Sequence, residues 1–337
     1  MLPGVMERVV VVGAGSISDA WFPPLAAEGL DVAAVVDLDP ARARAAIARH
    51  RLEAQAAEDL DAVLVRVRPD LVLDLTVPEA HAAVTVRALR RGAHVLGEKP
   101  MASTLADARR MVRAAEGAGR LYVVSQSFRW QRPQARVHRA VAGGLLGRVD
   151  RIDCSFYRGP RFGGFRDAMP SPLLGDMSIH HFDLARHLSG QDPVAVYAAE
   201  QDPAGSWYAG AAAASAIVEL TGGAVFTYTA SWAAEGLATP WPGQWRVVGE
   251  RGTITLSGHE VRAELVDGHG TAVPAEVPAA DLVHETQHES LRQMLSALRG
   301  GPVPSTECHD NIRSLALVHA AIRSAALARR VPVRAGV

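Results

Sequence analysis

Four valines behind one arginine, Arg8 to Val12, run straight into Gly13-Ala-Gly15-Ser-Ile-Ser18 and then a helical stretch, and this junction limits the fold more than any other. An uninterrupted β-branched run reads as a strand covered on both faces, as in a parallel sheet. The same grammar recurs through the first third. Strands are expected at Arg8 to Val12, Val32 to Asp37, Leu71 to Leu75, His94 to Gly97 and Tyr122 to Ser125. Helical spacing falls between them, at Asp19 to Glu28, Ala41 to Arg49, Glu79 to Arg91 and Leu105 to Gly117. Strand alternating with helix predicts a doubly wound α/β domain.

Beyond residue 125 the period changes. One helix is expected near Gln134 to Ala142, then alternating segments at Arg148 to Tyr157, Val194 to Glu200, Ala214 to Leu220, Ala224 to Trp232, Gln244 to Gly249, Gly252 to Leu256 and Val261 to Val266. These predict an α+β domain with a largely antiparallel open sheet, one face covered by helices at Asp176 to Leu188, Leu282 to Arg299 and Asp310 to Arg329. The expected division is residues 1–125, a dinucleotide-binding Rossmann domain, and 126–337, a domain for substrate and oligomerisation. If apolar, the open face needs a partner subunit, so a homodimer or homotetramer is expected.

Composition narrows the function. With 48% apolar and 21% charged residues over 337 positions the chain is globular, and a net charge of -1 with no basic run argues against nucleic acid as a partner. No apolar stretch reaches membrane-spanning length and no signal-peptide pattern opens the chain, so a cytoplasmic location is expected. Cys154 and Cys308, two and far apart, read as buried thiols. Of 35 basic residues all but Lys99 are arginine. A biased genome explains the arginines, but not why one position kept an ammonium, whose compact charge and tunable pKa arginine lacks.

Gly13, Gly15 and Ser18 follow the G-x-G-x-x-G spacing directly after a strand. Gly13 permits the tight turn, Gly15 lets the backbone approach a pyrophosphate, and Ser18 takes the third, small position, with Ser16 and Ile17 in the same loop. Asp37 ends the second strand 22 residues after Gly15, where a carboxylate meets ribose hydroxyls. NAD is the expected cofactor; Arg42 leaves NADP as the alternative. Asp176, His180 and Asp183 are spaced to share a helix face, and a carboxylate beside an imidazole suits a base that removes an alcohol proton.

Gly-x-Gly at the start, Thr76-Val77-Pro78 with His81, Glu98-Lys99-Pro100, and GDMSIHHFDLARHLSG at 175–190, in this order across the whole chain, resemble the Gfo/Idh/MocA family of glucose-fructose oxidoreductase, inositol dehydrogenases and related sugar dehydrogenases. The resemblance implies hydride transfer between nicotinamide and a secondary hydroxyl or keto group of a sugar, inositol or related polyol. It implies Lys99, Asp176 and His180 as the catalytic group, and Thr76, Pro78, His81, Glu98 and Lys99 beside the cofactor. His181 points elsewhere. Arg129 and Trp130, in SFRWQRP, together with Tyr157, Arg158 and the loop ATPWPGQW at 238–245, are candidates for the substrate wall. Two other activities share that resemblance: glycoside cleavage through transient oxidation, and a sensor of nucleotide or sugar that keeps the fold without catalysis. A sensor needs the glycines and Asp37 but not Lys99, Asp176 and His180 together.

One motif stands outside this scheme. His284-Glu285-Thr286-Gln287-His288 reads HExxH, the zinc-peptidase helix, with Glu307 a conceivable third ligand. Thirteen histidines make chance pairs common, and a peptidase leaves the nucleotide half unexplained, so no metal is expected.

Overall fold

The computed structural model describes residues 7–336. They group into two compact units, residues 7–127 with His284–Ile312 and residue 336, and residues 128–283 with 313–335.

In the first unit six parallel strands, β1 (Arg8–Val12), β2 (Asp31–Val36), β3 (Gln55–Ala57), β4 (Leu71–Asp74), β5 (His94–Gly97) and β6 (Tyr122–Val124), lie in the order β3-β2-β1-β4-β5-β6. The order reverses between β1 and β4, the switch point where such sheets open a crevice at their carboxyl edge. Helices α1 (Phe22–Ala27), α2 (Pro40–His50), α3 (Leu60–Val67), α4 (Pro78–Arg90) and α5 (Leu105–Ala118) make the crossovers. Asp39, Asp59 and Thr104 cap α2, α3 and α5, each accepting a backbone N–H two or three residues on. The β1 valines, at most 5% exposed, confirm a strand covered on both sides. The helix expected at Asp19 to Glu28 is instead a 3₁₀ turn, Ser16–Ala20, followed by the six-residue α1. Pro23 and Pro24 fix the first turn of that helix and can donate no hydrogen bond to what precedes it.

In the second unit nine strands form one sheet. With α6 (Arg132–Ala142), β7 (Val149–Tyr157), α7 (Ser178–Ser189), β8 (Pro193–Gln201), β9 (Ala213–Leu220), β10 (Val225–Ser231), β11 (Gln244–Gly249), β12 (Gly252–Ser257), β13 (Glu260–Val266), β14 (Ala272–Ala275), α8 (Thr286–Leu298), α9 (Cys308–Leu327) and β15 (Val331–Pro332) following in chain order, the sheet runs β14-β13-β12-β11-β7-β10-β9-β8-β15. Only β7 and β10 pair in parallel, the rest antiparallel. Period-two burial along β9 sends Ala214, Ala216 and Val218 inward, into a core with Phe156, Phe182 and Trp245. On the other face Tyr197 and Ile217, paired across β8 and β9, remain 46% and 53% exposed.

The single boundary at residue 125 gives way to a discontinuous one. Helix α8 does not cover the second sheet: Leu291, Met294 and Leu295 complete the core of the first unit with Trp21, Phe22 and Leu25. The segment returns to the first unit after 283, and the apolar stripe of α8 packs against α1. Cys154 and Cys308 are free and buried. Among the described residues no helix is long and apolar enough to cross a membrane.

Candidate functional site

In the first unit the site is built at the carboxyl edge of β1, β2, β4 and β5. Gly13 adopts φ +97°, and a Cβ there would lie 2.7 Å from the backbone carbon and oxygen of Leu75. Only glycine fits that turn. At Gly15 an added Cβ would meet nothing within 4 Å, so this stretch of backbone faces open space that a pyrophosphate can enter. Ser18 is buried, and its hydroxyl donates to the Gly15 carbonyl at 2.7 Å, closing the turn in place of a third glycine. Ser16 and Ile17 are exposed on the same loop. Asp37 follows β2 and is half-buried; Oδ2 accepts the Ala14 N–H at 2.7 Å and Oδ1 the Asp39 N–H at 2.9 Å. The carboxylate therefore ties the glycine loop to the end of β2, with lone pairs left for a ribose. Arg42 sits 3.7 Å from Asp39 in an exposed pair. These features fit NAD.

Beyond β4, buried Asp74 accepts the hydroxyls of Thr76 at 2.6 Å and Thr85 at 2.9 Å, which fixes the Thr76 turn before α4, whose first turn holds Pro78. His81 is 2% exposed, with Nδ1 2.9 Å from the Pro100 carbonyl and Nε2 3.0 Å from that of Thr76. Glu98 is 7% exposed; it accepts the Trp21 indole N–H at 2.9 Å and the Lys99 backbone N–H at 3.1 Å, and burial raises its pKa. The polar atoms of both side chains are thus committed to the protein. Both side chains brace the Thr76 and Lys99 loops, at which the cofactor contacts are expected. Lys99 follows β5, half-buried.

In the second unit the helix carrying His180 starts later than its spacing suggests. Leu173–Met177 forms a π-helical turn, and α7 proper starts at Ser178, so Asp176 belongs to the wide turn. Such single turns insert an extra residue, often at functional positions. Asp176 is 8% exposed and accepts Arg166 Nε at 2.5 Å. His180 is 9% exposed and lies parallel to the Phe128 ring, centroids 4.3 Å apart. Asp183 does not serve His180: it takes Arg129 in a bidentate pair and the Ser314 hydroxyl at 2.7 Å.

That pairing also corrects the substrate assignment. Arg129 is 3% exposed and committed to the interior, and Trp130, 9% exposed, packs edge-on to His187. The sequence pattern favours the charged and bulkiest members of SFRW, Arg129 and Trp130, whereas Phe128, just before them, is the residue against His180. Arg166, also missed, lies ten residues before its partner, with no spacing signal. His181 is fully buried, Nδ1 3.0 Å from the Tyr228 hydroxyl, and burial lowers its pKa to about 3. Tyr157 remains 39% exposed. Arg158 lies 4.6 Å over the Trp241 ring beside an open cleft of about 360 Å³.

A doubly wound domain with this glycine turn, joined to a domain of open antiparallel sheet, defines an NAD-dependent oxidoreductase. Residues 7–126 match the family described as an oxidoreductase family with an NAD-binding Rossmann fold, and residues 134–255 match the GFO/IDH/MocA C-terminal domain. The chain belongs to the Gfo/Idh/MocA family. It is 30% identical over 322 residues to the D-apiose dehydrogenase of Paraburkholderia graminis, covering 91% of this chain and 84% of that protein. To the D-apiose dehydrogenase of Rhizobium rhizogenes it is 28% identical over 320 residues, 91% and 92% of the two chains. An oxidoreductase from Agrobacterium radiobacter, solved with NAD+, L-tartaric acid and magnesium, shares the fold at a TM-score of 0.87 and 24% identity, over 98% of this chain and 99% of that one.

Proposed function

We propose that this oxidoreductase acts on a secondary hydroxyl or keto group of a small sugar, inositol or related polyol. The observation that carries the reading is a Gly13–Gly15 turn opening onto free space, in the same chain as Lys99 and a buried His180 backed by a flat aromatic ring. Bound NAD supplies the hydride acceptor, and in its reduced form the donor. Gly13, Gly15 and Asp37 hold the nucleotide, with the loops at Ser16, Ile17, Thr76 and Pro78 around it. His180 takes the hydroxyl proton during oxidation and returns it during reduction. Lys99 stabilises the charge that develops on the substrate oxygen. Asp176, paired with Arg166, orients the imidazole or accepts a neighbouring substrate hydroxyl. Tyr157, Arg158 and Trp241 form the outer wall, where aromatic faces suit C–H surfaces of a ring and the guanidinium suits its hydroxyls.

The chain's relatives support this substrate class: the inositol 2-dehydrogenase of Ralstonia nicotianae is 30% identical over 193 residues, 56% of each chain. Val194, Tyr197 and Ile217, exposed on the open face of the second sheet, support assembly into a homodimer or homotetramer. The test is a panel of pentoses, hexoses, inositols and their keto forms, read by absorbance of NADH. Turnover confined to such compounds supports the reading. A protein that binds NADH and turns over none of them is better described as a sensor.

A further inference from the structure

The HExxH segment does not form a peptidase helix. Helix α8 starts at Thr286, so His284 precedes it and the two histidines do not share one helix face. Glu307, the conceivable third ligand of that motif, is engaged elsewhere, 2.7 Å from His309 Nδ1 and 2.9 Å from Cys308 Sγ. Yet the two histidines do meet. Thr286 adopts φ +55°, a left-handed conformation rare for a β-branched residue, and Glu289, buried at the start of α8, accepts the His284 backbone N–H at 3.3 Å. The chain thereby folds back and lays the His284 ring on that of His288, centroids 3.5 Å apart and planes within 11°.

Glu28, which caps the carboxyl end of α1, completes the group: His288 Nε2 lies 2.9 Å from its Oε1, both side chains 19% exposed. The donor atoms of Glu28, His284 and His288 lie within 4.8 Å of one another. Two imidazoles and one carboxylate are a zinc-type donor set, donors around a tetrahedral ion stand about 3.3 Å apart, and the stacked rings rotate so that their in-plane lone pairs converge on the ion. We propose that Glu28, His284 and His288 form a binding site for a divalent transition-metal ion of the zinc type, with a fourth position left to water. The ion displaces the proton between His288 and Glu28 and clips the turn before α8 to the end of α1. Its role is structural, within the first unit, and it takes no part in hydride transfer.

The full-length protein, stripped with chelator, is titrated with ZnCl2 and bound metal is quantified after equilibrium dialysis. The expected result is one equivalent bound at micromolar Zn2+, lost or weakened at least tenfold in the double variant His284→Ala, His288→Ala, and retained in His309→Ala, which removes the Glu307–Cys308–His309 cluster instead. Retained NADH binding shows that the double variant has folded. Co2+ added to the parent supplies a second reading that needs no variant: the intense visible bands of a four- or five-coordinate ion support the site, and the weak spectrum of the hexaaquo ion alone overturns it. Equal zinc binding by parent and double variant, or none by the parent at 100-fold higher metal (about 2.7 kcal/mol weaker than expected), also overturns it.

Discussion

Arg129 and Asp183 form a bidentate ion pair inside the second unit, Nε to Oδ2 at 2.6 Å and Nη2 to Oδ1 at 2.7 Å, with side chains 3% and 2% exposed. Asp183 lies on α7 one turn past His180, and Arg129 adjoins Phe128, whose ring stacks on His180. The pair therefore fixes the turn that presents Phe128 to the imidazole. Breaking a buried pair from one side strands a charge, which costs about 3–5 kcal/mol. Arg129→Ala or Asp183→Asn is expected to lose stability on that scale in urea denaturation. The combined Arg129→Met, Asp183→Leu protein is expected to recover much of it, because no lone charge remains. A loss below about 1 kcal/mol in both single variants would show that the pair contributes little.

The two fingerprint glycines should fail differently. Gly13→Ala drives a methyl into the Leu75 backbone at an unfavourable φ and is expected to destabilise the protein by about 1–3 kcal/mol. Gly15→Ala has an ordinary φ of -76° and a Cβ in open space, so stability should stay within about 0.5 kcal/mol while NADH affinity falls at least tenfold. Melting curves and NADH titrations on both variants separate these effects. An unchanged NADH affinity in Gly15→Ala would remove that residue from the cofactor site.

Asp37 leads to a preference for NADH over NADPH, since a 2'-phosphate would meet its carboxylate while Arg42 is already beside Asp39. Fluorescence titrations with the two nucleotides check this. Asp37→Ala should narrow the gap and weaken both, because the carboxylate also holds the Ala14 amide. Tighter NADPH binding by the parent would reverse the assignment.

Much of the first unit was legible because covered parallel strands announce themselves as β-branched runs and glycine at the edge is demanded by sterics. The strand β3, three residues reading Gln-Ala-Ala, and α3, rich in valine and leucine, carry the opposite local signals, and tertiary packing overrides them. The same holds for α8, whose amphipathic pattern says that it packs but not on which sheet. Lys99, Asp176 and His180 stood out by residue type and order. The roles of Arg129 and Asp183 did not, because a charged residue in a loop looks identical in sequence whether it meets solvent, substrate or a buried partner 54 residues away.

His181 gives a stability prediction with a definite sign. Burial lowers its pKa from 6.5 to about 3, so the unfolded chain binds a proton that the folded one refuses between those values. Its contribution is intact above pH 6.5 and is lost as pH falls toward 3, at about 1.4 kcal/mol per pH unit. Buried His187 and half-buried His138 shift in the same direction and add to the slope. Urea denaturation at pH 6.5, 5.5 and 4.5 should show a shallower fall for His181→Gln than for the parent. Parallel slopes would mean that His181 is accessible to protons in the folded protein.

Lys99→Arg keeps the charge but replaces a compact ammonium with a planar fork, and is expected to lose at least tenfold in kcat with NADH affinity within about threefold. Parent-like turnover would mean that the one lysine of the chain has no part in catalysis.

The most direct measurement is the rate of NADH formation by parent and His180→Ala proteins on the best substrate of the sugar and polyol panel, with NADH affinity measured in parallel by tryptophan energy transfer. Loss of an acid-base group predicts a kcat at least 100-fold lower with cofactor affinity preserved. A His180→Ala protein that binds NADH and turns over at the parent rate would contradict the account.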